Sequence, residues 1–143
     1  ELRKFVEKLD SGIYTIVGFA KKKLFRVEGE LASAIRELKD AIYHFHAKDC
    51  RIDALNTGRK GALDTVAYSE EAERSWQFCT IGYGHGQEFW KNVVAALRIA
   101  GYDDVLSIEH EDGLMSGREG LLKAVRFLKD VLIYEERGNM YWA

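Results

Sequence analysis

The 143-residue chain contains no proline, where average usage near 5% would give about seven. A bias of natural composition and deliberate engineering each account for that absence. Net charge is also scarce. The 21 basic and 23 acidic side chains leave −2, which excludes the basic footprint of a nucleic-acid binder. No apolar run approaches the roughly 20 residues that cross a bilayer, and no secretory signal opens the chain. We therefore expect a soluble, cytoplasmic protein with no membrane partner. Cysteine is limited to Cys50 and Cys79, whose spacing excludes the usual metal motifs; in a reducing compartment they read as small buried residues. The first residue is Glu1 rather than Met, which fits an excised or processed piece.

What is present is apolar material in periodic blocks. With 47% hydrophobic and 31% charged residues, the chain can bury one sizeable core, and a single domain over 1–143 is expected. Leu2, Phe5, Val6 and Leu9 are spaced as a short amphipathic helix. Residues 13–17, β-branched and aromatic, predict a buried strand. A helix is expected over 29–40, with Leu31, Ala34, Ile35 and Leu38 on one face. A second strand over 42–47 puts His44 and His46 on the same side. Residues 54–75 read as a long polar loop, and 76–81 as a third strand. Gly82, Gly84 and Gly86 follow, without a dinucleotide fingerprint. Phe89, Trp90, Val93, Val94, Leu97 and Ala100 then mark a helix that stops at Gly101.

Residues 104–112 form the fourth strand and its polar end. Ser116 with Glu119 makes a capping box. It starts a final helix with Leu121, Leu122, Val125, Leu128, Val131 and Leu132 turned inward. The tail carrying Met140, Tyr141 and Trp142 is expected to dock on the body or on another chain.

The chemistry gathers at strand ends. The apolar run before Glu109, His110, Glu111 and Asp112 gains nothing from ionised groups at a packed end unless they are paired. In α/β proteins, ligands and metals sit at the carboxyl ends of parallel strands. A ligand site centred on Glu109 is the sharper expectation and a solvated acidic loop the plainer one. His46, Lys48, Asp49 and Arg51 offer a neutral metal ligand, a fixed carboxylate and two cations for an anionic substrate. A structural histidine competes with that reading. Lys21, Lys22 and Lys23 offer a phosphate grip or, more plainly, a solvated loop. Four strand–helix alternations imply a parallel sheet with right-handed crossovers. Such a sheet is either a small open doubly wound layer or half of a TIM (β/α)8 barrel with two unpaired edges.

The order and spacing of several runs settle which family the chain looks like. His44-Phe45-His46-Ala47-Lys48-Asp49 is followed by Arg51-Ile52-Asp53 and Arg74-Ser75-Trp76. Gly82-Tyr83-Gly84-His85 precedes Glu88-Phe89-Trp90, and Ala96-Leu97-Arg98 precedes Gly101-Tyr102. Ser107-Ile108-Glu109-His110-Glu111-Asp112 comes last. Together these resemble the sugar phosphate isomerase/epimerase family, with its xylose-isomerase-like TIM barrel, over that barrel's C-terminal half. The resemblance implies a divalent Mn, Mg or Zn ion held by two glutamates, an aspartate and a histidine. That ion polarises a sugar or sugar phosphate while carboxylates shuttle a proton.

On matching motifs, His46 is the histidine ligand, and Glu109 is both a metal ligand and the catalytic carboxylate. Arg51, His85 and Lys23 lie toward substrate. The departures are as specific. Ala20 stands at the family's aspartate position and Lys23 at its substrate-facing histidine, and the other glutamate belongs to the N-terminal half. Two of four ligands are therefore missing. The expectation is an isomerase/epimerase-like half barrel, catalytically impaired on its own and open to completion by dimerisation through exposed sheet edges. The alternatives are an engineered or excised self-associating scaffold without activity and, more weakly, a small-anion binder using Lys21 to Lys23 and Arg51.

Overall fold

The computed structural model describes residues 31–142. The expected first helix and first strand, and Ala20, Lys21, Lys22 and Lys23, lie outside the described residues.

Among these, the chain forms a small α/β arrangement with four α-helices and two two-stranded sheets, one of them parallel, and no closed barrel. Helix α1 spans Leu31–Leu38 and turns inward on Leu31, Ala34 and Ile35, the stripe its spacing predicts. Strand β1, Phe45–Ala47, alternates buried Phe45 and Ala47 with exposed His46. Strand β4, Leu106–Ile108, lies parallel to β1 in the register Phe45↔Leu106, His46↔Ser107, Ala47↔Ile108. The long helix α3, Gln87–Ala100, ends at Gly101, whose φ of 84° is the left-handed conformation a glycine adopts without strain. Helix α4, Gly117–Val131, starts where the Ser116 hydroxyl accepts from the Glu119 amide at 3.2 Å, half of the expected capping box.

The core lies between one face of β1–β4 and the helices α1, α3 and α4. Ile35, Phe45, Ala47, Ile81, Trp90, Val93, Leu97, Ala124 and Leu128 are its centre. The other face of the parallel pair carries His44, His46 and Ser107. The Ser107 hydroxyl lies 2.7 Å from His44 Nε2 and 3.2 Å from His46 Nδ1.

Three expectations need correction. The third strand does not join the parallel sheet. Strand β3, Trp76–Cys79, pairs antiparallel with β2, Asp49–Ile52, in the register Asp49↔Cys79 to Ile52↔Trp76. Trp76 and Phe78 pack edge to face at 5.0 Å, and Tyr68 joins both rings. The strand's aromatics thus build a satellite cluster on the hairpin, and β4 pairs directly with β1.

The 54–75 segment is also not structureless. Helix α2, Ala54–Lys60, is capped by Asp53, whose carboxylate accepts from the Asn56 amide at 2.8 Å. Buried Asn56 donates to the Ala72 and Arg74 carbonyls, and Thr57 to that of Ser75. Lastly, Leu121 and Leu122 are 47% and 48% exposed. The inward stripe of α4 is Gly120, Ala124, Leu128 and Val131, and the two leucines fall one and two helical steps off it. The tail residues Met140, Tyr141 and Trp142 are exposed as well. Among the described residues the tail is tied down near its start, with Arg98 donating to the Ile133 and Glu135 carbonyls and Arg137 donating to the Arg98 carbonyl.

Candidate functional site

The register of β1 and β4 decides what meets at their carboxyl ends. The Glu109 amide extends the ladder by donating to the Ala47 carbonyl at 3.0 Å. Glu109 Oε2 then stands 3.9 Å from His46 Nδ1, with the two side chains 42% and 44% exposed. Lys48 closes the group from the side. Its ammonium is 2.7 Å from Glu109 Oε1, 3.0 Å from Glu111 Oε2 and 3.9 Å from the centre of the Phe78 ring. The Lys48 hydrogen bond, opposed by some desolvation, holds the Glu109 carboxyl below the usual range. Burial works against the charge of Lys48, but the bonds to Glu109 and Glu111 outweigh it and raise its pKa. Both groups are ionised at neutral pH.

The cluster at 109–112 divides by alternation. Glu109 and Glu111 turn to Lys48, while His110 and Asp112 turn the other way. A Cβ on Gly120 would collide with the His110 ring, so the imidazole needs glycine at that point of α4. Both ring nitrogens of His110 are buried without a hydrogen-bond partner among the described residues. Asp112 Oδ2 accepts from the Thr80 amide and hydroxyl, each at 2.7 Å, and Oδ1 from the Leu114 amide at 2.8 Å. Burial opposes the Asp112 charge, and these bonds overcome it, lowering its pKa.

A second carboxylate–imidazole pair lies alongside. Asp49 is 2% exposed and gathers the loop that follows β3. It accepts from the amides of Cys50, Gly82, Gly84 and His85, and from His85 Nδ1 at 2.7 Å. Four backbone donors aimed at one buried carboxylate offset its desolvation. They also explain Gly84: a Cβ there would strike the Cys50 carbonyl and crowd the Asp49 carboxylate. The His85 ring stacks on Phe89 with centroids 4.1 Å apart. His46, Lys48, Asp49 and His85 line one small cavity of about 20 Å³, enough for about one water.

The expected site residues therefore divide. His46 and Glu109 meet, and His85 borders the same cavity as His46. Arg51 is turned away onto the hairpin, donating to Gln77 Oε1 at 2.5 Å. Lys23 lies outside the described residues. Lys48, Asp49 and Asp112, already named among the strand-end residues, complete the constellation. Thr80 joins it without having been singled out, since a lone threonine at a strand end carries no sequence signal.

A divalent ion does not fit the described residues. No three His, Cys, Asp or Glu side chains among them are placed to hold one, and the Glu109 oxygen nearest Lys48 already binds a cation. His46 and Glu109 are two donors, short of the four that metal sites commonly use.

No protein-family profile matches the chain. Over 99 residues, 69% of its length, the chain is 34% identical to the uncharacterized protein YfiH of Bacillus subtilis (strain 168), and this stretch covers 32% of that protein. The chain thus spans about a third of the relative it matches. Among the described residues no helix is long and apolar enough to cross a membrane.

Proposed function

We propose that this chain is the C-terminal half of a sugar isomerase/epimerase-type barrel whose metal site is incomplete and whose catalysis is impaired without the rest of the barrel. The observation that carries the reading is the meeting of His46 and Glu109, 3.9 Å apart at the carboxyl ends of two parallel strands on an open face. A barrel would set the third strand between these two, so the reading rests on the side chains and not on the strand order. In a completed barrel that face would line the lumen, where substrate is held at the carboxyl ends of the strands. Glu109 is the carboxylate placed to accept a proton from a carbon next to a carbonyl, and release of Lys48 from it would be needed to raise its basicity toward the working pH. Asp49 orients the His85 imidazole toward the same cavity. The match to about a third of a longer relative accords with a partial barrel. A divalent ion would need ligands from beyond these residues.

A steady-state assay with ketose substrates, with and without added Mn²⁺, tests this. We expect no metal-stimulated turnover by this chain; brisk turnover would contradict the impairment.

The exposed apolar residues favour one further element, self-association. Leu121, Leu122, Ile133, Tyr134 and Trp142 are all exposed, and among the described residues neither outer edge of the two-stranded parallel sheet has a strand partner. Light scattering should detect a dimer, and a strict monomer at high concentration would remove this element. The buried thiols of Cys50 and Cys79 suit a reducing, cytosolic compartment.

A further inference from the structure

The hairpin and the acidic strand end enclose a second cavity, of about 580 Å³, within the usual range for small-molecule sites. Its charges are arranged in an uneven way. Among the described residues two cations line it, and both already have partners. Lys48 is held by Glu109 and Glu111 and covers the Phe78 ring. Arg74, 3% exposed, donates to the Val66 and Trp76 carbonyls, and its guanidinium lies over the rings of Tyr68 and Trp76. Against them the lining sets three carboxylates, those of Glu71, Glu111 and Asp112. The nearby Arg51 is engaged by Gln77.

A phosphate entering this cleft would meet excess negative charge. To gain a cation it would have to draw Lys48 away from two carboxylates, or Arg74 out of a buried aromatic sandwich. What the lining does offer is oxygen acceptors beside apolar surface. Asp112 is held rigid by Thr80 and Leu114, and the Glu71 carboxylate abuts Gly113, where a Cβ would collide with it. Tyr68 and Leu114 present exposed apolar faces, 58% and 65% accessible. Hydroxyl-accepting carboxylates beside an aromatic face suit a ligand with many O–H donors and an apolar C–H face.

We propose that this cleft binds an uncharged, ring-closed carbohydrate and discriminates against its phosphorylated counterpart. The inference deepens the isomerase-type reading and rests on it for the ligand being a sugar; the charge count is independent of that reading.

The test is a titration of the chain with methyl glucoside and with phosphorylated glucose, followed by tryptophan fluorescence and by saturation-transfer NMR. The glucoside should bind and the phosphate should not. Tyr68→Ala, at an exposed position, should weaken the glucoside about fivefold, as loss of one aromatic contact implies. Leu114→Arg, also at an exposed position, should create phosphorylated-glucose binding at least about tenfold above the unchanged chain. Tighter binding of phosphorylated glucose by the unchanged chain would overturn the discrimination and leave the sugar reading intact. Failure of both ligands would overturn both. An unaltered glucoside affinity in Tyr68→Ala would overturn the placement, and no gain in Leu114→Arg would overturn charge as the selecting feature.

Discussion

Strands β1 and β2 are separated by the single residue Lys48, yet they enter two regions that are held together in opposite ways. The β2–β3 hairpin is stabilised by partners close in sequence. Arg51 to Gln77 spans 26 residues, Asn56 to Arg74 spans 18, and Arg74 to Val66 spans 8. The β1–β4 site depends on contacts across more than 60 residues, from Lys48 to Glu109 and Glu111. Closing a short loop costs less entropy than closing a long one. Its partners, moreover, are buried: Asn56, Arg74 and Ser75 are each no more than 5% exposed. At the strand ends the Glu109 and Glu111 carboxylates are half open to solvent, while Lys48 between them is 11% exposed. The hairpin is thus held by nearer and more deeply buried partners, and the site is a long-range assembly that completes itself only when both strands are in register.

Substitutions should reveal that difference in size. The largest effect is expected at the junction, where Asp49→Ala would leave the Gly82, Gly84 and His85 amides without their buried acceptor. A loss of about 3–5 kcal/mol is expected in a urea melt. Within the hairpin, Arg74→Met should cost about 2–3 kcal/mol, because two carbonyls lose their donor and two rings their cation. Arg74→Lys should not recover it, since an ammonium cannot span both rings in the same plane.

At the strand ends Lys48→Met should change stability by no more than about 1 kcal/mol, the carboxylates being free to turn to water. Its effect should appear instead in NMR titration, with the Glu109 carboxyl moving back up toward its ordinary value. An effect as large as that of Arg74→Met would remove the contrast between the regions.

The smallest effects concern pH. Glu109 and Asp112 are depressed, so their contribution is present above the ordinary carboxylate value of about 4 and lost as pH falls through their folded values. Lys48 is raised, so its contribution is present below about 10.4 and lost as pH climbs through its folded value. Burial pushes the Cys50 thiol up to about 11 and Cys79 to about 12, with the Asp49 charge adding to both. Their contribution therefore holds below about 8.5 and falls away above it. Denaturation midpoints should be flat from about pH 5 to 8 and decline on both sides. Both thiols should resist a disulfide reagent at pH 8 in the folded chain and react at once in urea.

Much of the scaffold was legible as periodicity. Leu31, Ala34 and Ile35 on α1, the Trp90-to-Leu97 stripe on α3, the Gly101 stop and the Ser116 cap each follow from local physics. The destination of β3 was not legible, because alternation shows that a strand has two faces but not which neighbour it pairs with. Helix α2 was obscured by its seven-residue length, too short for a periodic signal, although Asp53 ahead of Asn56 was a usable cap. Leu121 and Leu122 were assigned inward on hydrophobicity alone, whereas the close approach of Gly120 to His110 sets which side of α4 faces the core. At the site, motif spacing singled out His46 and Glu109 and the strand-end run named Lys48 and Asp49, but only the fold supplied the ion pair of Lys48 and the backbone donors around Asp49.

The direct pairing of β1 with β4 is the claim on which the site rests, and a cross-linking experiment tests it. Parallel neighbours lie about 4.8 Å apart, within reach of a disulfide, while strands separated by a third do not. His46→Cys combined with Ser107→Cys, opposite each other in register, should cross-link on mild oxidation. His46→Cys with Leu106→Cys should not, as their side chains face opposite ways. No cross-link between 46 and 107, together with one between His46→Cys and Thr80→Cys, would place the third strand between them, as in a closed barrel, and contradict the direct pairing.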